Sequence, residues 1–348
     1  MNEEIIKQIC NDLNIKNKQA ISVLNLLSEG NTIPFIARYR KEATGSLDEE
    51  QIRAIEEVYT YQVNLLKRKE DVIRLIDEKD MLTDELKKDI MNAKKLVDVE
   101  DLYRPFKEKK KTKATEAIKN GLEPLAKTIM LFDNTDILSE ATKYLNEAVK
   151  TVEAAIQGAS YIIAEEISDN ALFRKWIRSF TFNKGIIVTK IKKNAKDENK
   201  VYEIYYDYNE PIKFVKPHRY LAINRAVTEN VISINIDIDK EFIFGYLESK
   251  IIKNNNCTSY EIVKNSIVDA YKRLIESSIT REIFAELFEK SEVVAIDVFA
   301  KNLEKLLLTP PMKDKNVLAL DPAFRTGCKL AVLDITGKPL DISVIYPH

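Results

Sequence analysis

Ser46-Leu47-Asp48-Glu49 opens the stretch that decides the fold, because the apolar residues after it keep helical spacing without a break: Ile52, Ile55, Tyr59, Leu66, Ile73 and Ile76. The serine can accept the backbone NH three residues on, and the glutamate can reach back, which makes a capping box. Upstream, Ile5, Ile9 and Leu13 repeat every four residues. Ile21, Leu24 and Leu27 form a second stripe that ends at Gly30, a natural C-cap. Pro34 suits the first turn of a short helix. Downstream, Thr83 and Asp84 start another helix with Leu86, Ile90, Ala93 and Val97 inward. Further helices are expected over 122–131, 137–149, 152–167 and 171–180. Short turns between them predict an irregular helical array.

The pattern shifts near Gly185. Residues 185–191 and 201–208 are β-branched and aromatic, and fit either a hairpin or interrupted helices. Ile232, Ile234, Ile236 and Ile238 alternate with polar residues, the period of a half-buried strand. Helices resume at Glu241, over 259–288 and over 292–308, until Pro310 and Pro311 stop them. Val317-Leu318-Ala319-Leu320 then reads as a strand buried on both faces. Strands over 329–333 and 341–346 follow. Three short strands do not complete an α/β domain, so this end reads as the opening of a truncated one. The expected fold class is mainly α: an irregular multi-helix region with a small β element, then the first strands of an α/β domain. The expected divisions are 1–200, 201–316 and 317–348.

Composition narrows the function classes. Of 348 residues, 45% are hydrophobic and 31% charged, enough for packed cores under a solvated surface. The 8 glycines include no Walker A loop and no G-x-G-x-x-G run. Cys10, Cys257 and Cys328 lie too far apart for a C-x-x-C zinc site, and the sparse, odd count fits a reducing cytoplasm. No signal peptide and no membrane span are read. Two histidines, His218 and His348, leave little for a triad or an acid-base pair. His218 reads as structural. No catalytic residue, metal site or cofactor is expected, and the chain reads as a cytoplasmic monomer, not an enzyme.

The formal net charge of -1 means that any nucleic-acid contact must be local. Between Arg104 and Lys119 seven cations face two carboxylates, and Pro105-Phe106 breaks the helix just before the lysines. Arg104, Lys107, Lys109, Lys110, Lys111 and Lys113 are therefore the candidate nucleic-acid contacts, weak and sequence-independent; a solvated charged loop is the even alternative. Arg174, Lys175, Arg178 and Lys184 interleave with Phe173, Trp176 and Phe180. Here core packing of the aromatics, with the basic side chains snorkelling outward, is favoured over single-strand stacking. Asp321, at the end of the 317–320 strand, stands where a metal ligand of a nuclease could stand, with Asp334 as one further carboxylate. Two-metal hydrolysis needs more, and Asp321-Pro322 is better read as a turn.

Several blocks together resemble the Tex family of transcription accessory proteins. They are Thr32-Ile33-Pro34-Phe35-Ile36-Ala37-Arg38-Tyr39-Arg40-Lys41-Glu42, Asp101-Leu102-Tyr103-Arg104-Pro105-Phe106-Lys107, Gly121-Leu122-Glu123-Pro124-Leu125-Ala126, His218-Arg219-Tyr220-Leu221-Ala222-Ile223-Asn224-Arg225 and Leu320-Asp321-Pro322-Ala323-Phe324-Arg325-Thr326-Gly327. The resemblance implies a helical region with a helix-turn-helix-like element and a YqgF-type, RNase H-like domain opening at residue 317. It also implies an RNA-binding accessory role, with this chain as the helical scaffold and RNA or DNA, RNA polymerase or the ribosome as partners. Ala323, where the family often has glycine, and Ala226-Val227, where Gly-Glu is common, depart from the pattern. The alternatives are an RNase H-like nuclease or resolvase, and a protein-interaction module.

Overall fold

The computed structural model describes residues 3–109, 111–310, 312–323 and 325–346. The long helix predicted after Ser46 runs from Glu49 to Asp77, but its cap lies two residues later than expected. Gly45 and Ser46 both take positive φ (65° and 63°), so Ser46 belongs to the turn. Asp48 is the extended N-cap: its Oδ1 accepts from Gln51 N at 2.8 Å, and Gln51 Oε1 accepts from Asp48 N at 3.1 Å. Leu47, just before the cap, is buried in the same cluster as Ile52, four residues into the helix, the pairing of a hydrophobic staple.

At about 1.5 Å per residue this helix is roughly 44 Å long, long enough to serve two cores. Its first half, through Ile52 and Ile55, packs with Ile5, Ile9, Val23, Leu24 and Ile36. Its second half, through Leu65, Val72 and Ile76, packs with Ile90 and Val99 of the helices Asp84–Asn92 and Leu96–Tyr103.

The chain divides into two units, residues 1–188, 209–213 and 235–283 in one and 189–208, 214–234 and 284–348 in the other. In the first unit the helix Val152–Asp169 is the central member. Its neighbours are the helices Lys113–Lys119, Glu123–Ile129 and Ser259–Asp269. Small residues let them approach: a Cβ at Gly158 would lie 2.3 Å from Leu122 Cδ1. In the second unit Tyr202, Tyr205, Ile223, Ala226, Val231 and Ile232 form a separate cluster.

Three sequence expectations need correction. The helix expected over 137–149 stops at Ala141, where a 3-10 turn follows. Asn146 Oδ1 accepts from the backbone of both Ala148 and Val149 (2.9 Å each), and that local bonding competes with a helix. The helices expected over 259–288 and 292–308 are instead continuous. Ser259–Asp269 passes through a π-helical turn, Ala270–Ile275, into Glu276–Leu307 without a break. No glycine or proline stands between Phe288 and Glu292 to interrupt it. Finally, Val317–Asp321 is not buried on both faces: Leu318 is 66% exposed.

The mainly α class stands, with two small sheets. β1 (Ile186–Ile191), β2 (Asp207–Pro211) and β3 (Ile232–Asp237) lie in the order β2-β1-β3, so the second β run begins later than its aromatic residues suggest. β4 (Val317–Asp321), β5 (Cys328–Leu333) and β6 (Pro339–Ile345) form an antiparallel meander with Leu318 opposite Val332 and Ala331 opposite Ile342.

Candidate nucleic-acid interface

The basic segment folds along one face of the helix Val152–Asp169. Tyr161, Glu165 and Asp169 are spaced four apart and therefore share that face. Arg104, in the 3-10 turn Arg104–Phe106, donates from Nε to Asp169 Oδ1 at 3.2 Å. Lys109 Nζ pairs with Asp169 and, at 3.1 Å, with Glu165 Oε2. Both carboxylates are largely withdrawn from water, so these two cations act as clamps holding the segment down. Lys113 lies over the ring of Tyr161 (Nζ to centroid 4.6 Å), and Arg273 approaches the same ring at 5.2 Å. A tyrosine flanked by two cations concentrates positive charge at this end of the face.

Lys107 and Lys111 are exposed, as is Lys113. Lys111 pairs with the solvent-exposed Glu116 at 2.8 Å, a contact that raises the lysine and lowers the glutamate. Lys110 lies outside the described residues. The structure thus divides the predicted set. Arg104 and Lys109 serve the fold, whereas Lys107, Lys111 and Lys113 form a solvent-facing rim.

The second basic-aromatic cluster departs from the sequence expectation at its arginines: Lys175 and Lys184 reach water, but Arg174 and Arg178 turn inward. Arg174 is wholly buried in the helix Ala171–Lys184, as is Ile177, whereas Phe173, Trp176 and Phe180 are only half-buried. Its Nε donates to Asp101 Oδ1 (2.7 Å), and its Nη2 donates to Ser278 Oγ (3.0 Å) and Glu282 Oε1 (2.5 Å). Arg178, one turn on, donates from Nη2 to Asp101 Oδ2 and Glu282 Oε2 (2.7 Å each). Burial alone would raise the Glu282 carboxyl, but the two guanidinium groups outweigh it and hold it below the usual range. Burial likewise opposes the charge of Arg178, and the two carboxylates overcome it, raising that guanidinium. Arg174 Nη1 and Thr181 Oγ1 are buried without a partner. Thr181 also lines a cavity of about 10 Å³ with Ile177, Ile236, Tyr271 and Ile279, room for about one water.

This network also explains a sequence block that composition alone left without a role. In Asp101-Leu102-Tyr103-Arg104, the aspartate anchors both arginines, Tyr103 lies under the guanidinium of Arg68 (5.4 Å), and Arg104 clamps Asp169. No local sequence signal marks Asp101 as a partner, since Arg174 is 73 residues away.

Asp321 is exposed and sits opposite Lys329 in the β4–β5 register. Asp334 Oδ1 accepts from Thr336 N, Thr336 Oγ1 and Lys338 N within its own turn, and these bonds, the threonine hydroxyl first, lower its carboxyl. Among the described residues no group of three or more His, Cys, Asp or Glu side chains could hold a metal ion. Among them, too, no helix is long and apolar enough to cross a membrane. His218 lies exposed near the start of the helix Pro217–Thr228.

The helices of the first unit are pinned together by buried ion pairs, and Lys107, Lys111 and Lys113 lie exposed on its surface. The chain belongs to the Tex family. It matches the Tex-like protein N-terminal domain over residues 3–77, the Tex central region-like model over 133–299 and the Tex protein YqgF-like domain over 315–348. It is 54% identical over 346 residues to the uncharacterized protein YdcI of Bacillus subtilis (strain 168), covering 98% of this chain and 48% of that protein. It is 33% identical over 351 residues to the transcriptional accessory protein Tex of Neisseria gonorrhoeae (99% and 46%). It is 28% identical over 366 residues to the human S1 RNA-binding domain-containing protein 1 (100% and 36%). The chain thus spans about half the length, or less, of these relatives.

Proposed function

We propose that this chain is the helical scaffold portion of a cytoplasmic, nucleic-acid-binding transcription accessory protein and has no catalytic role of its own. In this reading it touches RNA or DNA weakly and without sequence preference, and RNA polymerase or the ribosome is its protein partner. The observation that carries the reading is the ordered run of three Tex domain matches along the chain. A relative named for transcription and another named for RNA binding point the same way. The cationic rim supplies the chemistry: Lys107, Lys111 and Lys113 can reach phosphates while Arg104 and Lys109 fix the backbone that carries them.

The test is a titration of labelled oligonucleotide against salt. Each phosphate contact adds roughly 0.7 to the slope of log affinity on log salt for single strands and about 0.9 for duplex DNA. Changing Lys107, Lys111 and Lys113 together to glutamate should flatten that slope by about two for single strands. Arg104→Ala and Lys109→Ala should instead lower thermal stability, since they leave Asp169 buried and underpaired. An unchanged slope in the triple variant overturns the assignment.

A further inference from the structure

The geometry points to a second nucleic-acid contact, separate from the rim: a stacking site for one base of a single strand at Tyr39, with Arg38, Arg40 and Lys41 as its phosphate contacts. The block from Thr32 to Glu42 carries much of the family resemblance, yet packing accounts for only part of it. On the helix Ile33–Tyr39, Ile33, Ile36 and Ala37 are spaced three and four apart and pack into the first core. Phe35, Arg38 and Tyr39 repeat that spacing on the other side of the helix and face solvent.

The cations of this block stand apart from the other basic residues around them. Among the described residues, Arg38, Arg40 and Lys41 are exposed and none of the three makes an ion pair. Every other arginine of the first unit has a carboxylate or carbonyl partner. Glu42 is the one carboxylate in the run 38–42. The helix Asn17–Ser28, which packs against the turn Lys41–Thr44, contains no Asp or Glu. Glu49 and Glu50 belong to the first turn of the long helix, and Arg53 takes up the former at 3.5 Å. The backbone carrying the cations is pinned. Thr44 is wholly buried, and its Oγ1 donates to Arg40 O (3.2 Å) and Lys41 O (3.4 Å). Gln19 Nε2 in turn donates to Thr44 O at 3.1 Å.

The rings decide the occupant. The Arg40 guanidinium lies over Phe35 at 5.4 Å, so that ring is used to hold a cation. Tyr39 meets Phe35 at a tilt of 45° with centroids 5.2 Å apart, which is not a stack, and it remains 67% exposed. One flat ring is thus open to one base, and three cations without an ion-pair partner border it. A stacking ring beside backbone charge is how single strands are held without sequence preference. A protein partner fits less well. The centre of a protein interface is depleted in charge, whereas the chain neighbours of Tyr39 are Arg38, Arg40, Lys41 and Glu42, all exposed. A duplex could use the cations but not the ring, because its bases are already stacked.

This inference rests on the nucleic-acid reading above but shares no residue with the rim, so the two can fail separately. The experiment follows the anisotropy of a labelled oligouridylate of about twelve residues on the full chain across a salt series. An abasic oligomer of the same phosphate count and poly-glutamate are run beside it. Changing Arg38, Arg40 and Lys41 together to glutamine should lower the slope of log affinity on log salt by about two, at roughly 0.7 per contact. Tyr39→Ala should weaken oligouridylate binding about fivefold or more at unchanged slope, Tyr39→Phe should bind as the wild type does, and the abasic oligomer should ignore both. All four side chains are exposed, so circular dichroism and the urea midpoint should not move. In the triple variant of the rim, Tyr39→Ala should have the same effect. A full slope in the glutamine variant, or no selective loss of oligouridylate binding in Tyr39→Ala, overturns this proposal and leaves the rim standing. Poly-glutamate binding as tight as that of oligouridylate, through the same three cations, overturns it in favour of an acidic protein partner. No oligouridylate binding at low salt overturns both readings.

Discussion

Replacing Arg174 by methionine tests whether the buried ion network is what ties three distant stretches of the first unit together. Two guanidinium groups and two carboxylates balance there, and Arg174 has no exposed side-chain surface. Methionine keeps much of the volume but leaves one cation between two carboxylates. Removing one partner from a buried ion pair costs about 3–5 kcal/mol. Eliminating the unpartnered Nη1 returns about 1 kcal/mol of that. The expected net loss is therefore roughly 2–4 kcal/mol. Urea unfolding followed by Trp176 fluorescence, from the same helix, should show a lower midpoint at unchanged slope. The acid limb sharpens the test. Glu282 titrates below its ordinary value near 4.5 because Arg174 and Arg178 overcome its burial. A depressed carboxyl contributes stability above its unfolded pKa and loses it as pH falls through the folded one. The wild-type chain should therefore weaken on acidification below about pH 4.5, and Arg174→Met should be less acid-sensitive, since its carboxylates have lost a cation. A loss under about 1 kcal/mol, with an unaltered acid limb, would falsify the network's structural role.

Other substitutions probe single contacts. A Cβ at Gly185 would stand 2.5 Å from Thr181 O, 2.8 Å from Ile212 Cδ1 and 2.9 Å from Ile236 Cγ2. Because Gly185 N also donates to that same oxygen (2.8 Å), Gly185→Ala must open the helix end, and should cost about 2–3 kcal/mol in the urea midpoint. Thr181→Val removes a buried hydroxyl that has no partner and should be neutral or stabilise by about 1 kcal/mol; destabilisation would mean that the adjoining cavity holds a water the hydroxyl needs. Leu318→Ala, on β4, should cost under about 0.5 kcal/mol, whereas Ile129→Ala in the helical core should cost about 2–5 kcal/mol. Equal losses in the two variants would refute the difference in burial.

Helical periodicity made most of the first unit legible because each amphipathic stripe has a single buried solution. Ile52, Ile55 and Ile76 are all buried as their spacing demands. Caps were less legible, since Ser46 and Asp48 are both good N-cap residues and only the backbone turn at Gly45 decides between them. The candidate site was legible as a charge run and no further. Nothing near Arg104 or Lys109 in the sequence shows that Glu165 and Asp169 will face them, because those carboxylates come from a helix some sixty residues on. The reversal at Arg174 has the same origin. A basic residue beside aromatics is normally the one that reaches water, and only the convergence of Asp101 and Glu282 makes its burial affordable.

The β4–β6 meander shows the converse case, in which sequence and structure disagree for a reason that is informative in itself. Cross-strand register places Leu318, Leu320, Leu330 and Val332 on one face and Val317, Ala331, Leu333, Ile342 and Val344 on the other. Both faces are apolar, the pattern of a strand set covered on each side. Yet Leu318, Leu320, Ile342 and Val344 are exposed. Apolar surface of that extent on a folded protein marks a place where something else packs. This exposed meander is the part of the chain that matches the Tex protein YqgF-like domain, over residues 315–348. The helices of the first unit bury their apolar stripes against one another and are cross-linked by buried ion pairs, whereas the meander carries apolar residues on both faces and leaves Leu318, Leu320, Ile342 and Val344 exposed.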